Sequence, residues 1–176
     1  HEKKGVDLLL EAFAKTLATD AGEKWHLVIA GPGTPEQIAA LQTLAATLGI
    51  ADRVTWTGLL QQDLKWGAMR AADVFVLPSH QENFGIAVAE ALACGVPVLI
   101  TDKVNICREI VRDRAGMVES DDLAGITSLL RRWLLLPEER REAMRSQARE
   151  CFARRYEIQR VASDLVKTLT ESGVAA

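Results

Sequence analysis

Five short apolar runs, each separated from the next by a helical segment, constrain the fold of this chain more than any other feature. They are His26 to Ala30, Arg53 to Thr57, Asp73 to Leu77, Val98 to Thr101 and Met117-Val118. Parallel strands need long crossovers, usually helices, so the alternation predicts a doubly wound α/β domain: a parallel sheet with helices on both faces. The helices are legible too. Val6, Leu9, Leu10, Phe13 and Leu17 fall on one helical face. Thr34, Pro35 and Gln37 supply a cap, a first-turn proline and a capping-box partner for a helix that runs to Gly49. A shorter helix is expected over Gln62 to Ala71, others over Gly85 to Cys94 and near Ile106 to Arg112, and charged helix from Leu123 to Thr170. The continuous apolar character of Asp73 to Leu77 predicts a central strand covered on both faces. No internal repeat is visible.

At 176 residues the chain suits one domain with a full core, expected over residues 1–176. A net charge of -3 offers no general attraction to nucleic acid or an anionic membrane. Three cysteines without C-x-x-C spacing suggest neither a disulfide framework nor a zinc site, which fits a cytoplasmic setting. No apolar run is long enough to span a bilayer. The sequence opens at His1 without a starting Met and reaches a helix at once, so it reads as a fragment of a longer protein.

In a doubly wound sheet ligands sit beyond the carboxyl ends of the strands, which directs attention to Gly31 to Pro35, Gly58 to Gln62, Ser79 to Gly85 and Thr101 to Asn105. Glu90 is the only polar side chain on the helix Gly85 to Cys94, a segment apolar all round and therefore expected to be buried. A buried carboxylate needs a partner or a ligand. Its side chain leans back toward the helix start, where Asn83, Phe84 and Gly85 present amides without intrahelical acceptors at the positive end of the helix dipole. That is an anion site, and Gly85 allows close approach. Glu82 adds a second carboxylate at the mouth. Two acceptors flanking an anion site suit a diphosphate with hydroxyls on either side.

Glu82 and Glu90, with seven residues between them, lie within Pro78-Ser79-His80-Gln81-Glu82-Asn83-Phe84-Gly85 and Glu90-Ala-Leu-Ala-Cys-Gly-Val-Pro-Val98. This resembles the E-x7-E signature of family 4 (group 1) glycosyltransferases, and Lys4-Gly5, Gly31-Pro32-Gly33, Val54 to Gly58, Arg108-Glu-Ile-Val111 and Gly116 follow in the family's order. The resemblance implies the C-terminal, nucleotide-sugar-binding half of a GT-B architecture of two Rossmann-like domains. It implies that Glu90 holds the ribose hydroxyls, Glu82 the donor sugar in a catalytic position, the amides of Phe84 and Gly85 the diphosphate and sugar, and Lys4 the phosphates, with Asn83 beside them in the donor site. Gly31 and Gly33 would line the crevice, with the base near Gly58, Leu59 and Leu60. It further implies transfer with retention, no metal and no cofactor, since the nucleotide-sugar is a substrate. The family's paired arginine, acceptor site and N-terminal histidine lie outside the sequence, so the fragment itself is expected to be inactive. The partner is the N-terminal acceptor domain of the same chain, which a helix over about 158–170 would reach toward, or else a second copy of the fragment. Contact with an inner membrane surface would come only through the missing domain.

Blander readings stand beside these. Lys4 is also a plain terminal lysine, His80 a surface loop residue, His26 a strand-edge residue, and the four tryptophans packing groups. The arginines from Arg140 to Arg155 alternate with glutamates as on a solvated helix face. Glu36 replaces the third glycine of a dinucleotide fingerprint, which weighs against a dehydrogenase. A regulatory nucleotide- or phosphate-binding module, a phosphorylase and a nucleotide-sugar epimerase remain as alternatives.

Overall fold

The computed structural model describes residues 2–18 and 24–171. The ends of the domain expected over 1–176, His1 and 172–176, lie outside the described residues. The strands are β1 (Leu27–Ala30), β2 (Val54–Gly58), β3 (Phe75–Leu77), β4 (Val98–Thr101) and β5 (Gly116–Glu119). The helices are α1 (Val6–Leu17), α2 (Pro35–Thr47), α3 (Gln62–Ala71), α4 (Ile86–Ala93), α5 (Cys107–Asp113), α6 (Leu123–Leu134), α7 (Glu138–Arg155) and α8 (Ile158–Glu171). A short 3₁₀ turn, Glu2–Lys4, precedes α1. Every strand pairing is parallel, in two hydrogen-bonded groups ordered β1-β2 and β3-β4-β5.

The predicted capping box at α2 is present: the Gln37 amide donates to Thr34 Oγ1 and the Thr34 amide to Gln37 Oε1, both at 3.3 Å. Gly49 beyond it takes φ 71°, the left-handed conformation a helix end requires. In α6 the Gly125 amide donates to the Asp122 carboxylate at 2.8 Å, closing that helix start.

Two cores meet at β4. Leu99 joins Leu9, Leu10, Phe13, Ile126, Leu129 and Trp133 on one side, where α1 packs on α6. Val98 and Ile100 join Val88, Leu92, Ile110 and Ala148 on the other, where α4 and α5 pack on α7. Successive strand residues point to opposite faces, so β4 feeds both cores, and all four of its residues are buried. Burial of each such side chain stabilises by about 1.5–3 kcal/mol. This corrects the expectation for Asp73 to Leu77 in part: Val76 packs on one core and Phe75 and Leu77 on the other, so both faces are covered, but the strand is not central. Its β3 is half-buried, because it pairs only with β4 while β4 has a neighbour on each side. Double cover is confined to β3, β4 and β5. In β1 and β2 the residues alternate, with Val28, Ala30, Thr55 and Thr57 exposed.

Two helical expectations also change. The arginines of α7 are not uniformly solvated. Arg141 lies between the rings of Trp25 and Trp133, 5.4 Å from each centroid, and donates to the carbonyls of Trp133 and Leu134 at the end of α6. Arg155 donates through Nε and Nη2 to Asp113 at 2.6 and 2.9 Å, and Arg154 adds a contact at 3.2 Å. These contacts tie α7 to α5 and α6, which the helical spacing of Glu and Arg does not encode. Finally, α8 packs against α7 yet leaves Ile158, Val161, Leu165, Val166 and Leu169 exposed.

Candidate functional site

The site begins with the 3₁₀ turn Glu2–Lys4, which is docked on the loop after β3 by the His80 amide donating to the Lys3 carbonyl at 2.9 Å. Gly5 then caps α1 with φ 61°, where a Cβ would run into the Pro78 carbonyl, so only glycine lets the turn lie this close. Lys4 is thereby delivered to Glu82, and its Nζ pairs with Oε2 of that carboxylate.

Glu82 is positioned by main chain. Its amide donates to the Lys103 carbonyl and its carbonyl accepts from the Asn105 amide, both at 3.1 Å, an isolated parallel bridge to the loop after β4. Thr101 Oγ1 donates to the Ser79 carbonyl at 2.5 Å, joining the same two loops lower down. His80 is engaged with the segment after β5, Nδ1 to Asp121 Oδ2 at 2.9 Å, and this hydrogen bond, with lesser help from Lys103, holds the Asp121 carboxyl below its ordinary range.

Gly85 is the N-cap of α4, at φ 75° and without a side-chain cap. A Cβ there would press on Val88 at 3.1 Å and touch Val104 and Glu82. The first amides of α4 thus have no side-chain acceptor, at the positive end of the helix. Asn83 is exposed, and Phe84 meets Tyr156 edge to face at 5.6 Å, so the end of α7 supports the residue before the cap. Burial pushes the Tyr156 phenol well above its ordinary value, keeping it neutral.

The structure corrects the expectation that α4 is buried all round with Glu90 inside it. Ile86, Glu90 and Ala93 share an outward stripe at helical spacing, and Glu90 retains 24% of its side-chain exposure. The apolar composition misled because small alanines serve on either face. Glu90 does have a partner: Lys65 of α3 pairs with Oε1 at 2.6 Å. Nothing in the sequence singles out Lys65 beyond the requirement that a half-buried carboxylate find a counter-charge.

The expected site residues thus fall into linked groups at the carboxyl ends of the strands. Lys4, Glu82 and Gly85 come together, and Glu90 is joined through Lys65 to α3. The Gly31 amide donates to the Gly58 carbonyl at 2.9 Å, joining the loops after β1 and β2. Leu59 is exposed and Leu60 half-buried between Gly58 and α3. Gly33 faces Ile38 of α2, where a Cβ would press at 3.1 Å, and so serves helix packing. Among the described residues no group of three or more His, Cys, Asp or Glu could hold a metal ion, and no helix is long and apolar enough to cross a membrane.

Fold and site together define a Rossmann-like α/β domain in which a helix start without a side-chain cap lies between the two carboxylates of one motif. The family model "Glycosyl transferases group 1" matches residues 1–151, and the chain belongs to that family. It is similar to a D-inositol 3-phosphate glycosyltransferase of Geodermatophilus obscurus, 37% identical over 174 residues that make up 95% of this chain and 37% of the relative. It is also similar to the mannosylfructose-phosphate synthase of Agrobacterium fabrum, 32% identical over 72% of this chain and 29% of the relative. The chain thus spans well under half the length of these curated relatives. Among solved structures, sucrose-phosphate synthase of Thermosynechococcus elongatus superposes with a TM-score of 0.83 at 21% identity, over 100% of this chain and 44% of that one. The Anabaena protein HepE in complex with UDP and glucose gives 0.82 at 18% identity, over 97% of this chain and 46% of that one. These likenesses bear out the GT-B-type fold.

Proposed function

We propose that this chain is the donor-binding domain of a retaining glycosyltransferase, taking a nucleoside-diphosphate sugar as substrate with neither metal nor cofactor. The observation that carries the reading is the uncapped start of α4, with Gly85 in the left-handed conformation and one carboxylate of the E-x7-E pair on either side. The diphosphate takes the place of the missing cap. Glu82 accepts from the sugar hydroxyls and Glu90 from the ribose. Lys4 leaves Glu82 for the phosphates as the donor arrives, an exchange of one anionic partner for another. Negative charge developing on the leaving diphosphate is then met by the helix dipole and Lys4, both in place before the reaction.

The name of HepE's complex, with UDP and glucose, agrees with such a ligand. An acceptor domain, reached by α8, completes the cleft in this reading, and the whole protein works in the cytoplasm, touching an inner membrane surface only through that domain. The test is a thermal-shift screen of UDP, GDP and ADP against the chain, with titration of any nucleotide that raises the midpoint. Weak but measurable binding of one diphosphate is expected. The absence of any response at millimolar concentration refutes the reading, and binding by a longer form that never transfers sugar to an added acceptor favours a regulatory module instead.

A further inference from the structure

The Lys65–Glu90 pair has no place in the scheme above, yet it sits on the carboxylate that the scheme assigns to ribose. Glu90 lies on the outward stripe of α4, where a free glutamate would sample several rotamers and a ligand would have to order it. Lys65 removes that freedom by binding Oε1 at 2.6 Å, with its own side chain 31% exposed. The lysine is itself steadied, its Nζ standing 4.5 Å from the centroid of the Trp66 ring. A carboxylate offers about four lone-pair sites on two oxygens, so a single ammonium donor leaves the acceptors that a vicinal diol needs.

The placement of α3 gives the pair a second consequence. Among the described residues α3 buries no side chain fully. Packing therefore does little to fix this helix, and the bridge from Lys65 ties it to α4. The loop Gly58-Leu59-Leu60 runs directly into α3, so the same bridge sets that loop relative to Glu90.

We propose that Lys65 is a positioning residue for the nucleoside: it holds Glu90 in the orientation that accepts the ribose diol and keeps the adjoining base loop in register with it. This rests on the donor-binding reading, and specifically on Glu90 meeting the ribose. Lys65 acts through Glu90 and touches neither phosphate nor sugar.

The experiment measures binding of UDP, 2′,3′-dideoxy-UDP and inorganic pyrophosphate to the chain by ligand-detected NMR, for the wild type, K65M and K65R. A hydrogen bond to a charged acceptor is worth about tenfold in affinity, so the wild type should prefer UDP over the dideoxy compound by at least about tenfold. In K65M this preference should shrink to about two- to threefold, while pyrophosphate binding and the thermal midpoint stay near wild type. K65R should restore most of the preference. A purely structural role would weaken all three ligands alike. If K65M keeps the full preference, the inference is overturned while the ribose role of Glu90 stands. If pyrophosphate binding falls with UDP binding, Lys65 acts on the phosphates or on the fold at large, and the inference is equally overturned. If the wild type binds UDP without any preference, the ribose role fails and takes this inference with it, whereas binding of none of the three, with no response to GDP or ADP either, refutes the donor-binding reading and this inference with it.

Discussion

Asp113, at the end of α5, should be worth more to this domain than its surface-like surroundings suggest. Its side chain is 3% exposed and accepts from Arg155 at 2.6 and 2.9 Å and from Arg154 at 3.2 Å. Asp113→Asn keeps the shape and one accepting oxygen but sets an amide N–H₂ against the guanidinium. Removing one partner of a fully buried pair costs about 3–5 kcal/mol. Arg155 is 22% exposed and can recover some hydration, and the Arg154 contact is half in water, so about 2–3 kcal/mol is expected here. For a chain of this size that lowers the thermal midpoint by roughly 5–10 °C. The pH dependence supplies an internal control. The Arg155 hydrogen bonds hold the Asp113 carboxyl below its ordinary value against the opposing effect of burial. Its contribution is therefore fully present above the unfolded carboxylate pKa of about 4 and is lost as pH falls through the lower folded value. Urea denaturation at pH 7 and at successively lower pH should show the wild-type and variant curves converging under acid. A loss below about 0.5 kcal/mol at pH 7, or a gap that does not close on acidification, would refute this reasoning.

Three further outcomes are expected. Glu90→Gln should lower diphosphate affinity by about tenfold while Glu82→Gln impairs sugar transfer by the longer enzyme and leaves diphosphate affinity nearly unchanged, so equal affinity losses by calorimetry contradict the assignment. Gly5→Ala should destabilise by about 2–3 kcal/mol in urea titration, from the left-handed backbone together with the approach to Pro78; a neutral substitution would mean that the turn carrying Lys4 is not held as described. Hydrogen exchange across Val161 to Leu169 should be faster than in α6 or α7 for a monomeric sample, because the apolar side chains of α8 are exposed, and slow exchange there would show that the helix is covered by this domain alone.

Much of this architecture was readable from residue order because it is local. The helices over Val6 to Leu17 and Gln62 to Ala71 have the bounds that their apolar spacing and flanking residues indicate, and the capping box at Thr34 forms as written. What escaped depends on partners distant in the chain. Arg141 reads as one more charge on a helix until Trp25 and Trp133 are brought to either side of it. Strand centrality escaped for the same reason, since Val98 to Thr101 and Phe75 to Leu77 look alike until neighbours are counted. At the site, Glu82, Gly85 and Glu90 announced themselves through a spacing, whereas Lys65 sits 25 positions from the carboxylate it holds and belongs to no motif.

The main-chain bridge between Glu82 and the 103–105 segment bears on how such a site can change over generations. Backbone hydrogen bonds are indifferent to side-chain identity, so the main chain at Glu82 does not depend for these bonds on what stands at positions 80, 81 and 83. Gln81 and Asn83 are exposed there. Under the donor-binding role proposed above for Glu82, variation at these positions would retune which sugar is preferred without dislodging the group proposed to grip it, giving selection a dial for specificity mounted on a fixed frame.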